Sequence, residues 1–204
     1  RLNMALFRTN YDNMQVTSWT GFSFDVGNAA ESITQGIEID GQLLLNDNWT
    51  LSGAFSYLDN YYDSYKAGPC TVTIQNDPND GRTVCDLTGK EMHFSPSKTA
   101  SLTLDYYQEI NGMEFTSMLG VNYSSSYHTQ IDLDANGVQD SFTKLDLRIA
   151  LASSDDTWEV AILGKNLTNE KTIAIGFDVP LIAGAYAGSL HSPRTITLQG
   201  SYSF

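Results

Sequence analysis

Positive charge is scarce in this chain. Eleven lysines and arginines stand against 24 aspartates and glutamates in 204 residues, a formal net charge of −13. A nucleic-acid partner needs clustered Lys and Arg, so this balance argues against a phosphate-binding surface. Long hydrophobic runs are lacking too: nothing approaches the ~18–20 consecutive apolar residues of a membrane-spanning helix. That removes a helical span but leaves membrane strands open, because a strand places its lipid-facing residues at every second position. Cysteine is limited to Cys70 and Cys85. Aromatics, by contrast, are plentiful, with 11 Tyr, 9 Phe and 3 Trp. With a mean hydropathy of −0.24, they suit either a barrel or a soluble β-sandwich. The length is compatible with one all-β domain.

Periodicity supplies what composition cannot. In the last segment Ile196, Leu198, Gly200, Tyr202 and Phe204 alternate with Thr195, Thr197, Gln199, Ser201 and Ser203. Similar alternation, bounded by turn residues, predicts strands near 1–10, 13–24, 32–46, 49–65, 98–109, 113–127, 141–152, 156–167 and 193–204. One face of the clearest strands is uncharged, as in Leu51, Phe55 and Tyr57, or Leu145, Leu147, Ile149 and Leu151. The charges Glu38, Asp40, Asp105, Glu114, Lys144, Asp146, Arg148, Glu159 and Lys165 fall on the other. A sandwich would show this as well. Strand length separates the two: several segments run ten or more residues, against ~5–6 for a globular strand and ~9–11 for a tilted membrane strand.

Tight turns at Asn10–Asn13, Asn46–Trp49, Ile110–Met113 and Ser153–Asp156 alternate with longer links at 25–31, 66–97, 128–140 and 168–192. Short periplasmic turns and long extracellular loops give a barrel this rhythm. Trp49, Trp158, Tyr202 and Phe204 then fall near the periplasmic interface, where aromatic belts lie. Arg1–Phe7 reads as a strand already in progress, and nine is an odd count, so the expectation is the carboxyl-terminal part of a larger antiparallel transmembrane β-barrel. A small barrel with a miscounted strand is the alternative.

An ordered set of short motifs carries a resemblance. Asn28-Ala-Ala-Glu31, Gly36-Ile-Glu38 and Leu51-Ser-Gly-Ala-Phe-Ser-Tyr-Leu-Asp59 are followed by Pro96-Ser-Lys-Thr-Ala-Ser-Leu102 and Thr143-Lys-Leu-Asp-Leu-Arg148. Lys165-Asn-Leu-Thr-Asn169 and Ser192-Pro-Arg-Thr195 complete the series. This resembles the late barrel of the TonB-dependent outer-membrane receptors. The resemblance implies that residues 1–204 supply about nine carboxyl-terminal strands of a 22-stranded barrel, and no segment here matches the amino-terminal plug. Asn169 stands where the family usually has Asp, and Lys171-Thr172 follow where an aromatic is usual. The family implies active import of a scarce solute (siderophore, cobalamin, oligosaccharide or peptide) across the outer membrane of a Gram-negative bacterium. It also implies several partners: the plug domain of the same parent chain, the TonB complex, the small solute, outer-membrane lipid and lipopolysaccharide, and the barrel-assembly machinery. Tyr202 and Phe204 resemble the signal that this machinery reads. A passive porin-like channel or a surface-binding barrel is the alternative function. An enzyme is not expected: Ser192 beside His191 has no G-x-S-x-G elbow or ordered third member.

Several residues invite chemistry, each beside a plainer reading. Cys70 and Cys85 share a link that the topology puts outside the cell, where oxidation favours a disulfide; two free thiols are the alternative. Asp132, Asp134, Asn136, Val138 (through its carbonyl) and Asp140 match the front of a calcium loop, with Gly137 at the sharp turn. Thr143 replaces the closing Glu, so an acidic hairpin tip explains the same residues. No other cofactor is expected. His93, His128 and His191 lie near the extracellular ends without ligand spacing. Asp63, Asp77, Asp80 and Asp86 could meet cations that bridge lipopolysaccharide, or simply be solvated. The inward Lys144, Asp146, Arg148, Glu159 and Lys165 could bond a plug, pair across strands or wet the lumen wall.

Overall fold

The computed structural model describes residues 1–19, 24–179, 182 and 184–204. In chain order its strands are β1 (Leu2–Trp19), β2 (Phe24–Leu44), β3 (Trp49–Ser64), β4 (Gly68–Pro69), β5 (Val84–Cys85), β6 (Lys98–Ile110) and β7 (Met113–Ser124). β8 (Tyr127–His128), β9 (Val138–Gln139), β10 (Phe142–Ser153), β11 (Trp158–Lys165), β12 (Ile173–Asp178), β13 (Tyr186–Leu190) and β14 (Thr195–Tyr202) follow. A one-turn helix, α1 (Val72–Gln75), lies in the link after β3. Eight strands form one antiparallel sheet in the order β1-β2-β3-β6-β7-β10-β11-β14. Each long strand pairs with the next long strand in the chain, which is the meander of a barrel wall, here an open sheet. The remaining strands make three small ribbons, β4-β5, β8-β9 and β12-β13.

Register turns the sequence alternation into two surfaces. Leu43, Leu51, Leu104, Leu119, Leu147, Gly164 and Ile196 stand side by side across seven strands. A neighbouring row runs Trp49, Tyr106, Ser117, Ile149, Ile162 and Leu198. Many of these side chains are exposed, Ile162 at 54% and Leu198 at 74%, although they are apolar. Water would penalise such a surface at roughly 25 cal/mol per Å², and neither row contains a charged residue. Lipid is the solvent it suits. The opposite surface carries rows such as Asp40, Ala54, Ser101, Asn122 and Lys144. There Arg148 donates to Glu159 Oε1 at 2.6 Å and to Thr116 Oγ1 at 3.3 Å, so two of the inward charges pair across strands.

The short turns close one end. Asn111 and Gly112 join β6 to β7 with φ of 52° and 74°, the left-handed pair that a two-residue hairpin demands and that Asn-Gly supplies. Trp49 packs on Tyr106 with ring centroids 4.6 Å apart, and Tyr106 meets Phe115 edge-on at 6.0 Å. Trp158 pairs with Tyr202 at the same end, so an aromatic girdle marks that interface.

The amino-terminal third departs from the sequence expectation. Segment 1–10 and the described start of 13–24, up to Trp19, are one strand, β1, and the turn expected at Asn10–Asn13 does not exist. Tyr11 pairs with Ser32 and Met14 with Ala30, so Asp12 and Asn13 oppose a single residue in a β-bulge. Asn13 takes the left-handed φ of 53° that the bulge needs. An opposite shift follows between Met14 and Gln15, which restores the original facing. The link expected at 25–31 is the start of β2, paired from Phe24 onward; the last positions of the expected second strand, 20–23, lie outside the described residues. Residues 180, 181 and 183 of the 168–192 link also lie outside them. The all-β barrel reading holds, with one strand fewer in the wall than alternation suggested. At 18 and 21 residues, β1 and β2 are far longer than the ~9–11 that a tilted membrane strand uses, so their hairpin projects well beyond the bilayer.

Candidate functional site

The candidate functional surface is built where the links 65–97, 125–141 and 166–194 meet above the wall. Its floor is a small apolar core: Ala30 from β2, Tyr62 from β3, and Tyr65 and Leu87 from the first link are buried together. Met14 and Val16 of β1, Met92 and Leu133 pack against them. The projecting β1–β2 hairpin therefore supports the loops, which is why its polar stretch stays paired far from lipid. Leu133 reaches this core with a φ of 58°, a left-handed backbone that a bulky residue adopts only under local strain.

Cys70 and Cys85 form a disulfide within the first link. The β4-β5 ribbon brings them together by pairing Gly68 with Cys85 and Pro69 with Val84. Gln75 at the end of α1 donates to the Cys70 carbonyl at 2.6 Å, so the enclosed segment folds back on its own staple. The acids in this link serve local turns. Asp77 Oδ1 accepts from Asn79 N, Asp86 Oδ1 accepts from Thr88 N, and Asp80 pairs with Arg82 at 3.2 Å. Asp63 is exposed at the upper end of β3.

The 125–141 link is an ordered lobe. Its β8-β9 ribbon pairs His128 with Val138, the Thr129 hydroxyl donates to the Gly137 carbonyl at 2.7 Å, and a 3-10 turn spans Ala135–Gly137. Other links are bonded to it. Phe94 N donates to the His128 carbonyl at 2.8 Å, and Ile173 N donates to Gln139 Oε1 at 2.6 Å. Farther down, Lys144 Nζ donates to Thr172 Oγ1 at 2.7 Å, and Asn166 N donates to Asp146 Oδ1 at 2.8 Å. These inward charges thus fasten the last link to the wall.

The five positions of the calcium-loop motif take different roles here. Asp132 and Asp134 are buried and converge. Asn136 is exposed, and both its backbone N and its Nδ2 donate to Asp134 Oδ1, at 2.7 and 2.9 Å. Val138 lies in β9, and Asp140 is exposed with its carbonyl accepting from Gln139 Nε2 at 2.8 Å. The third carboxylate comes from elsewhere: Asp178, at the end of β12, places an oxygen within 4.8 Å of those of Asp132 and Asp134. Sequence reasoning missed it because it belongs to another link. The one signal was an acid closing the otherwise apolar run Ile173–Phe177.

Electrostatics at this cluster is unusual for a loop. Burial, reinforced by the adjacent Asp178 carboxylate, pushes the Asp132 carboxyl up from its ordinary value to about 7. Asp178 is raised as well, chiefly by burial. Neither ion pair among the described residues, Arg82–Asp80 or Arg148–Glu159, touches the three acids. The histidines do not join them. His93 bonds Tyr62 through Nδ1 at 3.3 Å and is held below its ordinary pKa by burial, while His191 lies exposed in the last link.

Gly137 is required by a close approach. A Cβ there would stand 2.6 Å from Cδ and Oε1 of the buried Gln130. Gly137→Ala is therefore expected to displace Gln130 and speed amide hydrogen exchange through 128–140, while the wall strands keep wild-type protection. Unchanged exchange in the lobe would show that Gln130 has room to move.

Comparison with known proteins agrees with this architecture. The family described as TonB dependent receptor-like, beta-barrel matches residues 1–167, and the chain belongs to that family. This is a family of receptors and transporters, not of enzymes. The ferric yersiniabactin uptake receptor FyuA from Yersinia pestis superposes with a TM-score of 0.75 at 15% identity, covering 100% of this chain and 27% of that one. The siderophore receptor PiuA from Acinetobacter baumannii gives 0.70 at 18% identity, over 98% and 25%. The ferric citrate transporter FecA gives 0.62 at 18%, over 100% and 29%. This chain therefore spans about a quarter of the length of these solved receptors. At such identities the likeness is one of fold. No curated protein matches.

Proposed function

We propose that this chain forms late barrel wall and extracellular loops of an outer-membrane active transporter in a Gram-negative bacterium. It imports a scarce chelated solute, of the ferric siderophore class, with energy relayed through TonB. The observation that carries the reading is the uncharged apolar band running strand by strand across the sheet, in a chain whose family is the TonB-dependent receptor barrel. The wall is scaffold and conduit. The three tied links above it are the capture surface, and a plug from the same parent chain faces the polar side. The siderophore class is favoured over cobalamin, oligosaccharide or peptide because the superposing structures named above are an uptake receptor for ferric yersiniabactin, a siderophore receptor and a ferric citrate transporter. Tyr202, at the end of β14 opposite Trp158, and Phe204, just past that end, are both exposed and are the residues that the barrel-assembly machinery would read.

The test uses the full-length parent receptor in iron-starved cells. Radiolabelled ferric siderophores are supplied, with matched strains lacking TonB. Accumulation of at least one chelate that stops without TonB is the expected result. Uptake that persists without TonB, or steady ion conductance of the purified receptor in a planar bilayer, would point instead to a passive channel. Surface binding of the chelate with no uptake in either strain would make the barrel a binding protein.

A further inference from the structure

Two carboxylates can share a hydrogen bond only while one of them keeps a proton. Once ionised, they leave acceptors with no donor. Among the described residues four buried side-chain polar atoms lack a hydrogen-bond partner, and all four lie in the same two links: His128 Nδ1, Gln130 Oε1, Asp132 Oδ2 and Asp178 Oδ1. Asp132 is 8% exposed and Gln130 5%. The orphaned Asp132 oxygen belongs to the carboxylate that converges with those of Asp134 and Asp178. Gln130 lies between the same two links, against Gly137 on one side and Gly176 on the other. Buried acceptors are normally satisfied, and a concentration of exceptions needs a cause. Here it is independent of the acids' mere proximity.

We propose that Asp132, Asp134 and Asp178 bind one calcium ion, which clamps the 125–141 lobe to the β12–β13 hairpin of the last link. The donors are all oxygen, which suits a hard cation. Calcium holds oxygens at about 2.3–2.6 Å, so ligand atoms on opposite sides of one ion stand roughly 5 Å apart. The three carboxylate oxygens lie within 4.8 Å of one another, which is compatible with that sphere. Calcium accepts irregular ligand sets, whereas magnesium wants a near-ideal octahedron and gives up water reluctantly. The ion would supply charge where three acids have no ionic partner. It would join segments that share only a few hydrogen bonds, such as Gly176 N to the Thr129 carbonyl at 3.4 Å. This site differs from the linear calcium motif in its third carboxylate: Asp178 takes part and Asp140 does not. It does not depend on what solute the receptor carries.

The full-length receptor in detergent provides the test, with calcium chloride titrated after chelator treatment. Binding is followed by calorimetry and by amide exchange in 125–141 and 173–190. Wild type is expected to bind one calcium in this region and to gain protection in both links together. Asp178→Asn should weaken binding about tenfold or more, since affinity follows ligand charge, whereas Asp140→Asn should leave it unchanged. A misfolded variant is recognised by the chelated state. There Asp178→Asn relieves repulsion among the buried acids, so its links should be at least as protected as those of wild type. Loss of protection in chelator would mean that Asp178 is needed for structure without a cation, and would overturn the proposal. So would equal binding by Asp178→Asn and wild type, calcium binding that depends on Asp140 instead, or no calcium-dependent protection in wild type.

Discussion

Ile162→Arg is expected to cost the parent barrel about 2–4 kcal/mol of stability in lipid, the range for a cationic side chain at mid-membrane. Ile162 lies in the middle of β11, between Ile149 and Leu198 in the register, with the girdle residue Trp158 four residues away on the same face toward the short-turn end. Its 54% exposure in the protein means that lipid, not packing, is its environment. The matched control is Thr197→Arg. Thr197 sits one residue away on β14 with its side chain on the polar surface opposite Leu163, and there a new cation should stay within about 1 kcal/mol. Urea refolding of the full-length receptor into lipid vesicles measures both, with heat-modifiable gel mobility as the readout of a closed barrel. Equal costs at the two positions would mean that the uncharged surface does not face lipid. A larger cost at Thr197 would invert the wall.

The same contrast explains what could be read from the sequence. Within the bilayer the two solvents impose a strict period of two, so β3, β6, β7, β10 and β11 are legible from residues such as Leu51, Phe55, Leu102, Leu104, Leu147 and Ile149. Above the bilayer both faces of a strand meet water or loops, and the period fades. Residues 25–31 read as a link for that reason, although they lie in β2. Asp12-Asn13 reads as a turn because a bulge and a turn ask the same thing of Asn, a left-handed φ. The acidic cluster was half legible. Asp132 and Asp134 belong to a local motif, but which third acid completes it depends on how two links fold over a common floor of Tyr62, Tyr65 and Leu87. No local pattern carries that information. The Cys70–Cys85 pairing was open in the sequence and is decided by the ribbon that aligns Gly68 with Cys85.

That disulfide should matter for the loop and hardly at all for the barrel. Closing a 15-residue loop removes about 3 kcal/mol of chain entropy from the opened state. The enclosed segment has little else to hold it: α1 is a single turn with no buried residue, and residues 76–84 are exposed. Arg82, between the two cysteines, is a built-in probe, because trypsin cuts there faster when the segment opens. With opening fast relative to cleavage, a 3 kcal/mol change is expected to raise the cutting rate roughly 100-fold in Cys70→Ser, Cys85→Ser or reduced wild type. Tyr65 and Leu87 flank the staple and belong to the shared floor, so some loosening should reach Leu133 and the neighbouring lobe. The bond lies within the first link and closes no wall strand, so the thermal transition of the closed barrel should not move. If the cutting rate at Arg82 is unchanged on reduction, the ribbon and the floor hold the link without the bond. If the barrel itself melts earlier, the extracellular lobe is part of the wall's cooperative unit, and the loops above it cannot move independently to admit a solute.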